Sequence, residues 1–445
     1  MTKLTLILSG FLFVGAVAQG ADYKLHTFRR IQLTDQFWCE GANIGDFNRD
    51  GKMDVVAGPF WWPGPEFKVR HEFRDASKTS KVKKPDGTEV TIPGYKGALG
   101  RENDYSDNFL TFVHDLNGDG WADIIVYGLP GEPVYWYENP KGKKAADGSE
   151  HWPKHKAFDV LDNESPTFGD LTGDGKPEII CNSGGCLGYA SPDWSNPTAL
   201  WKWHPITPKG AWHKYSHGLG YGDVNGDRRA DMLEKDGWWE QPASLAGDPV
   251  WVNHKFPFAP GAGTAGGAQL YAYDFNGDGL NDVLTTLDPH GYGLAWYEQI
   301  KRAGTIDFRQ HILLNKEPKD NKYGVKFSQM HAIDLVDMDG DGLKDIVTGK
   351  RFWAHGPAAD AEPNAPAVLY WFQTVRRPDK SVEFVPHLID DDSGVGTQVV
   401  AADVNGDKLP DVIVGNKKGV FVFLHQVKKV SKAEWEAAQP KPFAP

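Results

Sequence analysis

The chain has 445 residues, a formal net charge of −12, 50 glycines, 30 prolines and an aromatic share of 12%. That length suits several domains or one repeat array, and an acidic chain without a basic face excludes nucleic acid as an expected partner. Three cysteines are too few for a disulfide framework.

Residues 1–21 read as a secretory signal peptide. Lys3 precedes the apolar run Leu4–Val17, and small residues follow up to Ala18 and Ala21, the two candidate cleavage positions. A secreted or periplasmic location follows as the expectation. No later run is apolar enough to span a bilayer. Cys181 and Cys186 can bridge one loop or stand as two buried thiols, and Cys39 reads as a core thiol.

From residue 46 onward the chain repeats one nine-residue loop seven times. The copies are DFNRDGKMD, DLNGDGWAD, DLTGDGKPE, DVNGDRRAD, DFNGDGLND, DMDGDGLKD and DVNGDKLPD. They place oxygen-bearing side chains at positions 1, 3, 5 and 9. These are Asp46, Asn48, Asp50 and Asp54; Asp115, Asn117, Asp119 and Asp123; Asp170, Thr172, Asp174 and Glu178; and Asp223, Asn225, Asp227 and Asp231. The last three sets are Asp274, Asn276, Asp278 and Asp282; Asp337, Asp339, Asp341 and Asp345; and Asp403, Asn405, Asp407 and Asp411. Alternate oxygens around a glycine turn are how a loop wraps a hard cation, so up to seven Ca²⁺ are expected. An EF-hand would run on into a helix. Here an apolar strand follows position 9, which puts the loop in a β-hairpin. Arg228 and Lys408 replace the position-6 glycine, and those two sites are expected to be weaker or distorted.

Successive loops start 51 to 69 residues apart, which fits one four-stranded sheet per unit. Strand one leads into the loop and strand two leaves it as a consecutive apolar run, as in Ile124–Val126. Strand three is aromatic and often ends in Glu-Asn or Glu-Gln, as at Glu138-Asn139, Glu240-Gln241 and Glu298-Gln299. Strand four carries an aromatic residue and then a histidine: His71, His155, His204, His254, His311 or His387. A histidine recurring in every outer strand reads as scaffold. Trp61, Trp62, Trp238 and Trp239 suit sugar stacking, but they also match the strand-three pattern. The seventh unit lacks a fourth strand and the N-terminus has a spare one around Phe28–Ile31, so the N-terminal strand is expected to close the ring. The reading is therefore all-β: a seven-bladed propeller over residues 22–428, followed by a polar tail at 429–445.

The seven loops with their apolar strands resemble the FG-GAP/VCBS repeat family, over about residues 23–426. That resemblance implies the propeller of the α-integrin members, with calcium in each strand one–two hairpin. Its members include adhesion modules, lectin-like binders and sugar-acting lyases and dehydratases, so it leaves function open. The stretches Gly349–Arg351 and Gly394–Gln398 are more faintly similar to propellers of the aldos-2-ulose dehydratase kind.

In such a fold the face opposite the loops carries the starts of strand one and the ends of strand two. Non-repeating residues there are the functional candidates. Glu40, Glu164, His217 and His331 share one offset from their loops; they can converge on a metal, act as acid and base, or each be bonded locally. The strand-two ends supply Lys235, His290, Lys350, Arg351, His355, Lys417 and Lys418, a concentration of cations suited to a polar or anionic ligand. His217, His331, Lys350 and Arg351 are the candidate catalytic set; Lys235, His290, His355, Gln398 and Lys417 are the candidate ligand-binding set. Insertions at 75–108 and 315–329 overhang this face with Tyr95, Lys96, Arg101, Tyr105 and Tyr323. Three functions compete: a carbohydrate-binding module, a sugar lyase or dehydratase, and an adhesion or assembly scaffold. Convergence of His217, His290, His331 and His355 favours the enzyme.

Overall fold

A computed structural model describes residues 23–444 apart from 77, 85, 98–103, 211, 260–265 and 303. The expected signal peptide and Arg101 lie outside the described residues. The described chain is all-β, with a single short α-helix at Lys432–Ala438 and one 3₁₀ turn at Pro318–Asp320. No helix among the described residues is long and apolar enough to cross a membrane.

The sheets have a propeller-like arrangement, with the strand that leads into each acidic loop innermost. Where the sequence predicts seven separate blades, five separate four-stranded sheets and one eight-stranded sheet are found. The larger sheet forms because Leu219–Gly222 pairs in parallel with Gln269–Tyr273, so two four-stranded halves share a ladder. Gly220 permits this approach: a Cβ there would lie 1.8 Å from the Leu270 carbonyl oxygen. Strand two is buried almost throughout in every unit, as at Asp123–Tyr127, with only Ser183 at the end of its strand partly exposed, because neighbouring sheets cover both faces.

Ring closure is as the spare strand predicts. Lys24–Thr34 lies antiparallel to Gly419–Lys429, with Lys24 opposite Lys429 and Ile31 opposite Val422. It forms the outer strand of the sheet that contains Asp411–Asn416 and Val399–Ala402. The stretch read as a polar tail is also structured. Ser431 and Glu434 form a capping box on the short helix, and Trp435 packs on Tyr23 at 5.5 Å.

The repeated histidines are scaffold. His71 stacks on Trp61, His155 on Trp136, His311 on Trp296 and His387 on Trp371, all at 4.4 Å between ring centroids. His254 stacks on Trp238 at 4.0 Å and His204 on Tyr189 at 4.7 Å. The closing sheet keeps the pair with its strands exchanged: His425 comes from strand three and stacks at 4.6 Å on Phe28 of the N-terminal strand. Trp61 and Trp238 are thereby committed to this stack, and Trp62 and Trp239 are buried. Cys39, Cys181 and Cys186 are free thiols, and burial pushes Cys39 up to about 12.

Deleting Tyr23–Leu33 should expose the apolar edge of Gly419–Leu424 and convert the protein to aggregates, read by size-exclusion chromatography and thermal melting. A monomer that melts like the full chain would rule out this closure.

Candidate functional site

Each acidic loop is built the same way. The position-9 acid is buried and accepts the position-2 backbone N–H of its own loop, as in Phe47 to Asp54 and Leu116 to Asp123, both at 2.9 Å. In six of the seven units its other oxygen accepts a backbone N–H at the end of strand three, for example Asn139 to Asp123 at 2.8 Å and Gln299 to Asp282 at 2.8 Å. Each carboxylate oxygen retains a second lone pair for a cation. The position-1 aspartate accepts N–H groups from positions 5 and 6, as Asp46 does from Asp50 and Gly51. Arg228 and Lys408 do not distort their loops. Both take φ of 72°, the left-handed conformation of the glycines they replace, and both donate N–H to the position-1 aspartate. Three carboxylates already approach one another in two loops, Asp170/Asp174/Glu178 and Asp337/Asp339/Asp345.

The strand-three Glu-Asn and Glu-Gln endings also have a physical role. Asn139 donates its amide to the Phe47 carbonyl, Gln241 to that of Leu171 and Gln299 to that of Val224, so each clasps position 2 of the preceding unit's loop. Arg376 does the same at Phe275. The preceding glutamate takes the outer histidine, as Glu138 takes His155 at 2.9 Å.

The opposite face lies one strand length away, about 15 Å for four or five residues. There the residues sharing one offset converge. His217 and His331 are 4% and 2% exposed, and their rings lie 5.3 Å apart. His290 sits 5.2 Å from His217 and 4.6 Å from His331, and His355 lies 4.3 Å from His290. Asp360 accepts from His355 Nδ1 at 2.9 Å and lies 3.5 Å from His290 Nδ1. Glu164 Oε2 is 3.2 Å from His217 Nε2 and 3.7 Å from Arg351 Nη1. Arg351 also pairs with Glu40, whose carboxylate accepts from the Ser106 hydroxyl at 3.2 Å.

Burial decides what these groups can do. Burial, together with Arg351 and the other imidazoles, holds His331 well below the ordinary histidine range, so its ring is neutral. Burial also lowers His290, with Asp360 opposing. For Glu164, burial acts upward but His217, Arg351 and His290 outweigh it, leaving the carboxyl at about 2. Asp360 is likewise pulled down, against its burial, by His290 and His355. Burial brings Lys350 down to about 8 and Lys417 to about 8.

Several sequence expectations change here. Lys350, Arg351 and Lys417 are buried: Lys350 donates to the Ser328 hydroxyl and Lys417 to the Trp353 carbonyl, each at 2.8 Å, while Arg351 holds carboxylates. They supply positive potential from behind the site. His217 and His331 are too deep to meet a ligand directly; the accessible edge is His290 and His355. Lys235 pairs with Asp236 and packs beside Gly266 at the margin. Gln398 is a wall brace, its amide accepting from Thr111 N–H and donating to Thr111 carbonyl, both at 2.9 Å. Tyr323 bonds Glu383 on the outer side. Of the first insertion, Tyr105 reaches His355 at 6.4 Å and Ser106 reaches Glu40. Asp360 is a candidate that spacing could not single out, since it sits in the irregular stretch 351–366; the length of that stretch was its signal.

Residues 115–181 and 274–348 match the FG-GAP-like repeat family, so the chain carries FG-GAP-like repeats. No curated protein matches it. Among solved structures it is similar to a lectin of Agrocybe aegerita, described for specific recognition of non-reducing terminal N-acetylglucosamine. Identity there is 17%, over 92% of this chain and 87% of that one, with a TM-score of 0.42. The rhamnogalacturonan lyase YesW is 14% identical over 90% of this chain and 72% of that one, with a TM-score of 0.39.

Arg351→Ala should lower stability by about 3–5 kcal/mol, because it strands the buried carboxylate of Glu40. The pair Glu40→Gln with Arg351→Met should recover more than half of that loss in denaturant unfolding. Additive losses would mean that the two residues do not depend on each other.

Proposed function

We propose that this chain of FG-GAP-like repeats is an exported, calcium-braced seven-bladed propeller whose loop-free face binds a carbohydrate and acts on it by elimination. Seven blades follow from counting the eight-stranded sheet as two. The observation that carries the chemistry is the meeting of His217, His290, His331 and His355 at one place, with Asp360 beneath the two accessible rings.

In this reading His355, oriented by Asp360, removes the proton next to a substrate carbonyl or carboxylate. The electron pair moves in to form the double bond as the oxygen on the adjacent carbon departs, protonated by water or by the imidazolium just formed. Lys350, Arg351 and Lys417 stand behind the reacting carbon, and their fixed positive charge favours the enolate that develops. Sugar acids are the preferred class, since a carboxylate beside the acidic carbon both loosens that proton and suits the cations.

Uronate-containing and neutral oligosaccharides should be screened for binding and for unsaturated products. His355→Ala should reduce kcat by about 10²- to 10⁴-fold and leave the melting temperature unchanged. Binding without product would leave a carbohydrate-binding module, and neither binding nor product would leave a scaffold.

The loops support calcium by their donor chemistry, which is all hard oxygen. In chelator, burial raises the position-9 acids: about 6 for Asp54 and Asp411, about 7 for Asp123, Glu178, Asp231 and Asp282, and about 8 for Asp345. A raised carboxyl holds protons in the folded chain that the unfolded chain has released. The contribution of these acids to metal-free stability is therefore fully present below about pH 4 and is lost as pH rises toward 8. Millimolar Ca²⁺ should restore the melting temperature at pH 8, and a melting curve indifferent to chelator at that pH would exclude the loops as calcium sites.

A further inference from the structure

The deep half of the histidine cluster has no task in the reaction above. His217 and His331 are at least nine-tenths buried, and among the described residues neither nitrogen of either ring has an aligned hydrogen-bond partner in the protein. His290 Nδ1 has Asp360 beside it, at 3.5 Å. An unpaired buried polar atom costs about 1–3 kcal/mol, and here three nitrogens, both of His331 and Nδ1 of His217, gather at one point with no acceptor or carboxylate beside them among the described residues. Packing alone does not account for that. Four of the five tryptophan-stacked histidines elsewhere in this fold find carboxylates, as His155 finds Glu138 and His311 finds Glu298, while His387 leaves a single nitrogen unpaired.

We propose that His217, His290 and His331 form a three-imidazole site for a divalent transition metal of the zinc class. One nitrogen from each ring lies within 4.8 Å of the others. Around a tetrahedral ion with Zn–N of about 2.0–2.1 Å, such nitrogens stand about 3.3 Å apart, so the rings need only draw slightly together. Imidazole selects zinc, cobalt, nickel or copper over the hard cations that suit the loops on the opposite face.

The carboxylates stand where such a site needs them. Glu164 lies beside one nitrogen of His217 at 3.2 Å, and Asp360 lies 3.5 Å from Nδ1 of His290. A carboxylate behind each ring sets its orientation and strengthens the nitrogen that faces the ion. His331 has no such partner; its burial keeps the ring neutral, with a lone pair to give. Charge supports the same assignment. Around the cluster the cations Lys350, Arg351 and Lys417 are matched by Glu40, Glu164 and Asp360, so a bound dication leaves the site net positive and ready for an anionic ligand. Three protein ligands also leave a coordination position for water or a substrate oxygen, where the metal acts as a Lewis acid.

A second trio, His290, His355 and Asp360, also lies within range. We assign it to orientation and proton transfer, because His355 is 42% exposed and both rings already address Asp360. The metal assignment rests on this face being the functional one, but its test reads metal binding and not turnover.

The full chain, stripped with chelator and returned to millimolar Ca²⁺ to fill the loops, should be titrated with Zn²⁺ by calorimetry and with Co²⁺ by visible absorption. One equivalent of Zn²⁺ should bind, with intense d–d bands for Co²⁺ in a low-coordinate nitrogen site. His331→Gln and His217→Gln keep side-chain bulk, and each should weaken Zn²⁺ at least 100-fold with an unchanged calcium-loaded melt. Glu164→Gln should weaken it about 10-fold, and His355→Ala should stay within about 3-fold. Absence of stoichiometric Zn²⁺ binding to the wild-type chain overturns the proposal. So does binding that survives His331→Gln and His217→Gln but is lost in His355→Ala. Zinc binding without turnover of any sugar acid would sink elimination and leave the metal site standing; turnover by a chain that binds no stoichiometric zinc would do the reverse.

Discussion

The buried acid at loop position 9 is the constraint on which the rest of the molecule depends. It lies where strand two begins and uses one oxygen for its own hairpin and, in six units, the other for the end of strand three. A carboxylate in that position is costly unless its lone pairs are filled, and the backbone fills them in a fixed geometry. Strand three therefore cannot shift register without stranding a buried charge. The same residue carries the constraint outward: the side-chain amide of Asn139, Gln241 or Gln299 grips the loop of the unit before it. In those three units hairpin, sheet and neighbouring sheet are thus locked through one residue, and the far ends of the inner strands inherit that precision. The histidine cluster sits at those far ends.

The two faces divide the chemistry of the chain by ligand hardness. One end of each inner hairpin offers carboxylate and amide oxygens, repeated seven times because they hold the architecture. The other end offers imidazoles that occur once each, at His217, His290, His331 and His355. Because the same strands carry both, loss of the oxygen-lined end would blur the spacing of the imidazoles about 15 Å away without touching them.

Much of the fold was legible in the sequence because the loop repeats and because each copy states its own geometry. The closing strand was legible as a deficit, a seventh unit without its outer strand. The convergence of Glu40, Glu164, His217 and His331 was legible as a shared offset, since equal offsets in radially repeated units fall at one level. Burial was not legible in the same way. Lys350, Arg351 and Lys417 look like solvated charges in sequence, and only their distant partners, Ser328, Glu40 and the Trp353 carbonyl, make them interior groups. Gln398 failed as a ligand candidate for the same reason: its partner, Thr111, is 287 residues away. Asp360 escaped because an irregular loop has no period to violate. The merging of two units into one sheet rests on how closely Gly220 lets two backbones approach, and composition carries no trace of that.

The outer strand of the last sheet has a consequence for how the molecule is made. His26 and His425 touch across 399 residues of chain, and the strands that hold them are the first and last of the fold. Every other sheet can assemble from residues close in sequence as they emerge. The opening strand cannot; it must wait unpaired until Gly419–Lys429 has been made. Its pattern suits that wait, since Lys24–Thr34 alternates Arg, Lys and Gln with apolar residues and is never fully buried even at the end. The seam it makes is the last to form, and in a closed ring it is the natural place for unfolding to start.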